Sequence, residues 1–200
     1  MIFATLGDKN YYRTIYMNCE RIKKFHNASV YIADLGGLSG MEFPDNAFVV
    51  PFYGLDADWY KMQMKPLFLV YCLQYGDVCL MDGDAILIRP LYLCIDGDAI
   101  VTVRKSRYGR INSGVVFCSS VDFATEWMRR SISLYFQTGD RLSEQNALID
   151  ICDSGMYDVR EEPCSVYNYS AVENGIPDSV RIVHLKSGRF LKDELIKLIP

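Results

Sequence analysis

The stretch VCLMDGDAILIRPLY, residues 78–92, decides how the chain is read. Four apolar residues, Val78 to Met81, run into Asp82-Gly83-Asp84. A second apolar run, Ala85 to Ile88, leads out to Arg89-Pro90. A short apolar run closed by turn residues predicts a buried strand, here Asp77 to Met81. In extended backbone, residues two apart project to the same face. Asp82 and Asp84 are therefore expected to present their carboxylates side by side, with Gly83 keeping the space between them open. Two hard oxygen ligands on one face suit Mg2+ or Mn2+, which completes its shell with phosphate oxygens and water. The same residues also read as a plain turn, because Asp and Gly are common there and an isolated D-x-D recurs by accident. The echo DGDAI at Asp96 to Ile100 precedes a strand instead of ending one, and reads as a turn.

Outward from this stretch, strands and helices alternate. Strands are expected over Ile2 to Leu6, Ser29 to Ala33, Phe48 to Pro51, Ala99 to Val103, Ile111 to Cys118 and Val180 to Val183. Helical spacing marks Tyr11 to Phe25, where Ile15, Cys19, Ile22 and Phe25 form one stripe. Asp122 to Phe136, Glu144 to Ile151 and Phe190 to Ile199 also read as helices. Trp59 to Gln74 is mostly helical, with Pro66 expected in the first turn of a helix and Lys65 extended ahead of it. The alternation predicts an α/β layered fold with a mostly parallel central sheet flanked by helices. No linker or low-complexity segment divides residues 1–200, so a single domain is expected.

Composition narrows the function classes. The chain has 200 residues, 50% hydrophobic and 23% charged, with a formal net charge of −4. That balance belongs to a globular protein and gives no reason to expect nucleic acid or an anionic membrane as partner. An anionic ligand would need a local device. No apolar window approaches the ~20 residues of a membrane span. The first residues, MIFATLGDKN, have no basic, then apolar, signal pattern. The seven cysteines are odd in number and lack a C-x-x-C pair, so they read as reduced core residues and not as zinc ligands. A cytoplasmic location is expected.

Five blocks in order carry a family resemblance. They are VCLMDGDAILIRPLY; INSGVVFCSS, with Asn112, Ser113 and Gly114; Glu144-Gln145 at the opening of a helix; Tyr167-Asn168; and IVHLKSGR, ending at Arg189. In this sequence of blocks the chain resembles glycosyltransferases of the GT-A fold, especially the family-eight, glycogenin-like type. Its size also resembles the amino-terminal glycosyltransferase domain of a large chlorovirus protein, so it is expected to be a whole protein or one domain of a larger one. The resemblance implies a GT-A domain with a Rossmann-like nucleotide-binding half. It implies transfer of a hexosyl or deoxyhexosyl group from a UDP-sugar donor to the hydroxyl of a glycan or other acceptor, with Mn2+ or Mg2+.

Site roles follow by position. Asp82, Asp84 and His184 would hold the metal, and Gly83 would sit between the carboxylates against the donor. Thr5, Leu6, Gly7 and Tyr11 would form the nucleoside pocket, with Tyr11 stacking on the base and Asp34 accepting a base N–H. Lys65, Lys186 and Gly188 would approach the diphosphate. Asn112, Ser113 and Gln145 would meet sugar and acceptor hydroxyls, and Glu144, Gln145 and Asn112 would be catalytic. His26, after a helix, reads as a surface residue. Three departures stand out: Ser-Gly-Arg-Phe replaces the usual Lys-Pro-Trp after the late His, Glu144 stands where Asp is common, and few residues follow Arg189. An inverting reaction would need a carboxylate base, for which Glu144 and Asp122 are candidates by position; the resemblance leans toward retention. Two other readings stay open. A nucleotidyltransferase also pairs carboxylates with metal, but normally opens with a Gly-rich basic loop. A catalytically silent nucleotide-sugar-binding module would keep the site without turnover.

Overall fold

The apolar runs of the amino-terminal half pair side by side. β1 (Ile2–Gly7) lies parallel to β2 (Val30–Asp34), and β2 lies parallel to β3 (Ala47–Pro51). On its other side β1 pairs in parallel with β4 (Val78–Asp82), Leu6 facing Asp82. The chain thus builds outward from β1 in one direction and then returns to start β4 on the other side. In open α/β sheets the crevice beyond the strand ends at such a reversal is where ligands bind. The computed structural model describes residues 1–52, 58–104, 110–170 and 175–185, with backbone alone for 58–62. The helix expected over Phe190 to Ile199 lies outside the described residues.

Beyond β4 come β7 (Ile111–Cys118), β6 (Ala99–Val103) and β8 (Val159–Pro163). The seven-stranded sheet has the order β3-β2-β1-β4-β7-β6-β8, and only β7 runs against the others. That reversal has a direct effect on function. Cys118 pairs with Val78 while Val115 pairs with Met81, so β7 delivers its first residues to the end of β4 where Asp82 stands.

One face of the sheet packs against α2 (Asp58–Leu73), α3 (Val121–Thr138) and α4 (Ser143–Ser154) through Phe68, Leu69, Trp127 and Leu148. The other face packs against α1 (Tyr12–His26), whose predicted stripe of Ile15, Cys19 and Ile22 is buried. A second, two-stranded sheet joins β5 (Ala85–Leu87) to β9 (Ile182–His184) on this side. A single turn of α5 (Cys164–Tyr167) follows β8. Asn18 of α1 accepts the Leu87 N–H at 2.9 Å, giving β5 a hydrogen-bond partner besides β9.

Several sequence expectations are corrected here. Pro66 lies inside the continuous α2 and not in its first turn, and Lys65 is helical. A mid-helix proline loses a hydrogen bond; here burial of Met64, Phe68, Leu69 and Cys72 on the sheet outweighs that cost. β5 and β8 were not expected. β8 reads VREEP, a half-exposed edge strand with no apolar alternation. His26 is not a plain surface residue, since its Nε2 accepts the Leu91 N–H at 3.0 Å. No cysteine is in a disulfide, although Cys94 is exposed and Cys152 only partly buried. Burial pushes the Cys19, Cys72 and Cys118 thiols up to about 12, which leaves them unreactive. Among the described residues, no helix is long and apolar enough to cross a membrane.

Trp127 links α3 to α4: its ring is fully buried and its Nε1–H donates to the Glu144 carbonyl at 2.8 Å. Trp127→Phe removes that bond and part of the packing. It is expected to lower unfolding free energy by about 2 kcal/mol, read as a lower urea midpoint at unchanged slope.

Candidate functional site

At the crevice between the ends of β1 and β4, the chain turns sharply. Gly83 and Asp84 form a tight turn between β4 and β5, so Asp84 leaves the extended path assumed for an i, i+2 pair. The carboxylates converge through the turn instead. Gly83 is required there because a Cβ would come within 2.4 Å of the Leu6 carbonyl oxygen and 3.3 Å of the Tyr11 ring. β5 then pairs antiparallel with β9, Ala85 opposite His184, and Leu185 N–H donates to the Asp84 carbonyl at 2.9 Å. This small sheet carries His184 to the carboxylates. Its Nε2 stands 3.1 Å from Asp84 Oδ1 and 3.6 Å from Asp82 Oδ2. One ligand atom from each of the three residues lies within 4.8 Å of the others. Two carboxylate oxygens and one imidazole nitrogen form a hard-to-borderline donor set able to hold a divalent cation. His184 Nδ1 is held by Asn168 Oδ1 at 2.8 Å, leaving Nε2 toward the carboxylates.

Beside this cluster opens a pocket lined by Leu6, Gly7, Asp8, Tyr11, Leu35 and Lys65, together with the cluster itself. Of the residues expected at the nucleoside, Leu6, Gly7 and Tyr11 lie on this wall. Thr5 is buried within the sheet, on the face covered by α1, and is not on the wall. Asp34 is fully buried. Its two oxygens accept the backbone N–H groups of Gly36, Leu38 and Ser39 and the Ser39 hydroxyl, at 2.7 to 3.0 Å. It shapes the loop that carries Leu35.

Lys65 does not stand ahead of a helix N-terminus, as its neighbour Pro66 had suggested. It reaches from the middle of α2 into the floor of the pocket, 2.8 Å from Asp82 Oδ1 and 3.5 Å from Glu144 Oε1. It also donates to Ser113 at the carbonyl oxygen, 3.3 Å, and at Oγ, 3.2 Å. Burial disfavours its charge, but Asp82 and Glu144 outweigh that and hold the ammonium well above the usual lysine range. For Glu144 burial pushes the carboxyl up, while Lys65 and the Ser113 hydroxyl, 3.0 Å from Oε2, work against that push.

Asn112, Ser113 and Gln145 were expected against sugar and acceptor hydroxyls. Asn112 and Ser113 lie beneath the carboxylates and Gln145 follows Glu144 in α4; all three are buried and none is on the pocket wall. Asn112 Oδ1 accepts the Gly114 N–H at 2.8 Å and Asn168 Nδ2 at 3.0 Å. Glu144 is completely buried within the Lys65–Ser113 network, which removes it from contact with solvent. Asp122 opens α3 beyond Cys118, at the end of the sheet opposite Asp82. Lys186 and Gly188 lie outside the described residues, as does the Ser-Gly-Arg-Phe segment. Sequence reasoning gave Asn168 no role, although Tyr167-Asn168 was one of the recognised blocks; a polar residue in a buried block was the available signal.

The N-S-G block is a bulge. Val101 pairs with Val116 but Thr102 pairs with Asn112, so one step on β6 spans four on β7. Such bulges re-aim side chains beside functional sites. The bulge presses Gly114 against the histidine: a Cβ there would stand 2.5 Å from His184 Cε1 and 2.6 Å from Nδ1.

No family model matches the chain, and no curated protein matches it. Its fold is similar to a solved structure described as a glycosyltransferase involved in the glycosylation of the major capsid of PBCV-1. The TM-score is 0.71, covering 98% of this chain and 100% of that one, at 12% sequence identity. The chain therefore shares that protein's fold, mixed α/β with a mostly parallel sheet.

Removing Lys65 leaves Glu144 buried and uncompensated, a loss that typically costs about 3–5 kcal/mol. Lys65→Met is expected to be destabilised by about that much, and Lys65→Met/Glu144→Gln to recover much of it in urea unfolding. Burial keeps the folded Glu144 carboxyl above its unfolded value, so between those values the folded chain binds the extra proton. Stability of Lys65→Met should therefore fall as pH rises through that window, making it less stable at pH 8 than at pH 5.

Proposed function

We propose that the chain is a metal-dependent glycosyltransferase that moves a hexosyl or deoxyhexosyl group from a UDP-sugar to a hydroxyl, most readily one on a glycan. The observation that carries this reading is the convergence of Asp82, Asp84 and His184 at the crevice where the sheet reverses, next to a pocket walled by Tyr11. That placement suits a diphosphate beside a divalent cation. The fold shared with a glycosyltransferase adds to it.

In this reading Asp82, Asp84 and His184 hold Mn2+ or Mg2+, which when bound would neutralise charge on the departing diphosphate. The chain's own residues supply the rest. Leu6, Gly7 and Tyr11 bind the nucleoside, and Leu35, whose N–H donates to the Gly7 carbonyl, extends that wall. Gly83 lets the donor approach the backbone between the carboxylates. Lys65 holds Asp82 Oδ1 in place, and its ammonium contributes positive charge to the pocket floor. Lys186 and Gly188 complete the diphosphate site. Asn112 and Ser113 act from beneath the pocket wall, Ser113 through Lys65 and Asn112 through Asn168 and His184.

Retention of anomeric configuration belongs to the same reading. An inverting base needs an accessible carboxylate on the acceptor side. Glu144 is sealed beneath Lys65 and Ser113, and Asp122 is at the far end of the sheet. The product linkage, read by NMR of the anomeric proton, is expected to keep the donor's configuration.

Calorimetry of UDP binding with and without Mn2+ tests the centre of the proposal. UDP should bind tightly only with Mn2+, and Asp84→Ala should weaken it at least ~100-fold. Binding indifferent to both metal and Asp84 would overturn it. Metal-dependent binding without turnover of any UDP-sugar would instead leave a silent binding module, and release of pyrophosphate would point to nucleotidyl transfer.

A further inference from the structure

His184 reaches the carboxylates from a strand that belongs to neither of theirs, so its usefulness as a ligand depends on which ring nitrogen carries the proton. A neutral imidazole binds a cation through its bare nitrogen, and the tautomer is set by whatever the other nitrogen bonds. Next to Asp84, at 3.1 Å from Nε2, the local preference of a neutral ring is to place its proton on Nε2 and donate it to the carboxylate. That tautomer would close the ligand position. Something must oppose it.

The opposing device can be followed donor by donor. Gly114 N–H is a backbone group and can only donate, so the Asn112 side-chain atom it meets at 2.8 Å is the carbonyl oxygen. That oxygen also faces Asn168 at 3.0 Å, so the Asn168 atom there must be its amino group. A second anchor agrees. The Thr102 hydroxyl donates to the Asn112 backbone carbonyl at 2.9 Å, leaving its lone pairs to accept Asn168 Nδ2 at 3.0 Å. With both amino hydrogens assigned, the other end of the carboxamide is an acceptor, and it lies 2.8 Å from His184 Nδ1. Nδ1 must therefore be N–H, so whenever the ring is neutral its bare nitrogen is Nε2, facing Asp82 and Asp84. Thr102, Asn112 and Asn168 are all buried, so water does not compete for these bonds.

We infer that Asn168 is a positioning residue for the cation site: fixed by Thr102 and by the bulged Asn112-Ser113-Gly114 segment, it holds His184 in its Nδ1–H tautomer and presents Nε2 as a ligand. The inference rests on the metal site of the proposed function and assigns that site its supporting layer. It also accounts for the N-S-G block. The glycine supplies close approach to the ring and the N–H that starts the relay, while the asparagine passes it on.

Two measurements test this, one of which needs no metal. The first is Mn2+ affinity in the presence of UDP, read from the free Mn2+ signal in electron paramagnetic resonance. Asn168→Leu, which keeps the approximate volume, is expected to weaken Mn2+ by about 10–100-fold. Thr102→Val should weaken it less, and should add less in the Asn168→Leu background than it does alone, because one of its two routes to His184 runs through Asn168. Equal additive losses in the double variant, or Asn168→Leu binding Mn2+ within about twofold of wild type, would overturn the inference.

The second is the tautomer itself, from long-range 1H–15N spectra of the metal-free protein. The chain has only two histidines, so His26→Gln leaves His184 as the single signal. In wild type the neutral His184 ring should carry its proton on Nδ1, and in Asn168→Leu the neutral ring should carry it on Nε2. An unchanged tautomer would sink the idea even if Mn2+ binding changed. If wild type bound no Mn2+ at all, the proposed function would fail, while the spectra would still decide the role of Asn168.

Discussion

Asp82, Asp84 and Glu144 bring three carboxyl groups toward one end of a sheet, and like charges at such short range oppose each other strongly in a partly buried setting. The Lys65 ammonium is what makes the arrangement tenable. It contacts Asp82 on one side and Glu144 on the other, and fills its remaining hydrogen-bonding capacity with Ser113. Because Lys65 takes Oδ1 of Asp82, the other oxygen is left toward His184. The buried ion pair therefore does more for orientation than for net stability, as desolvation offsets much of the gain from such pairs. Helix α2, strand β4, strand β7 and helix α4 are tied at this point, so the carboxylate pair is held from beneath by four elements.

The single reversed strand completes the arrangement. Had β7 run parallel to its neighbours, its first residues would lie at the far end of the sheet. Running backwards, it delivers Asn112, Ser113 and Gly114 under the carboxylates, and its bulge frees three residues from pairing with β6. Ser113 then serves Lys65 and Glu144, while Asn112 and Gly114 serve His184 through Asn168. One bulge supports both halves of the cluster.

The sequence made the central parts of this legible for identifiable reasons. β4 ends at Asp82 after four apolar residues, with Asp84 in the turn that follows, and local patterning of that kind survives in the folded chain. The parallel half of the sheet followed from alternating strands and helices. Other features depend on contacts between distant residues, which periodicity does not record. Pro66 argued locally for a helix start, but packing of Phe68 and Leu69 decided otherwise, so Lys65 was placed on the wrong kind of element. The pairing of β5 with β9 joins segments about a hundred residues apart, and the edge strand β8 carries charges where a strand pattern would show apolar residues. His184 was singled out by resemblance, but its partner Asn168 was not, since an asparagine looks the same in a loop as in a buried relay.

That long-range pairing also sets an order in time. Asp84 leaves the ribosome a hundred residues before His184, which at ~5–20 residues per second is roughly 5–20 s. During that interval the nascent chain carries the acidic turn but not the imidazole or the strand that delivers it. The three-residue cluster can assemble only after Leu185 has met the Asp84 carbonyl and β9 has docked. A cation that uses all three groups would bind the finished fold in preference to the partial one, and by mass action would stabilise it. The same junction that builds the site therefore couples its occupancy to completion of the fold.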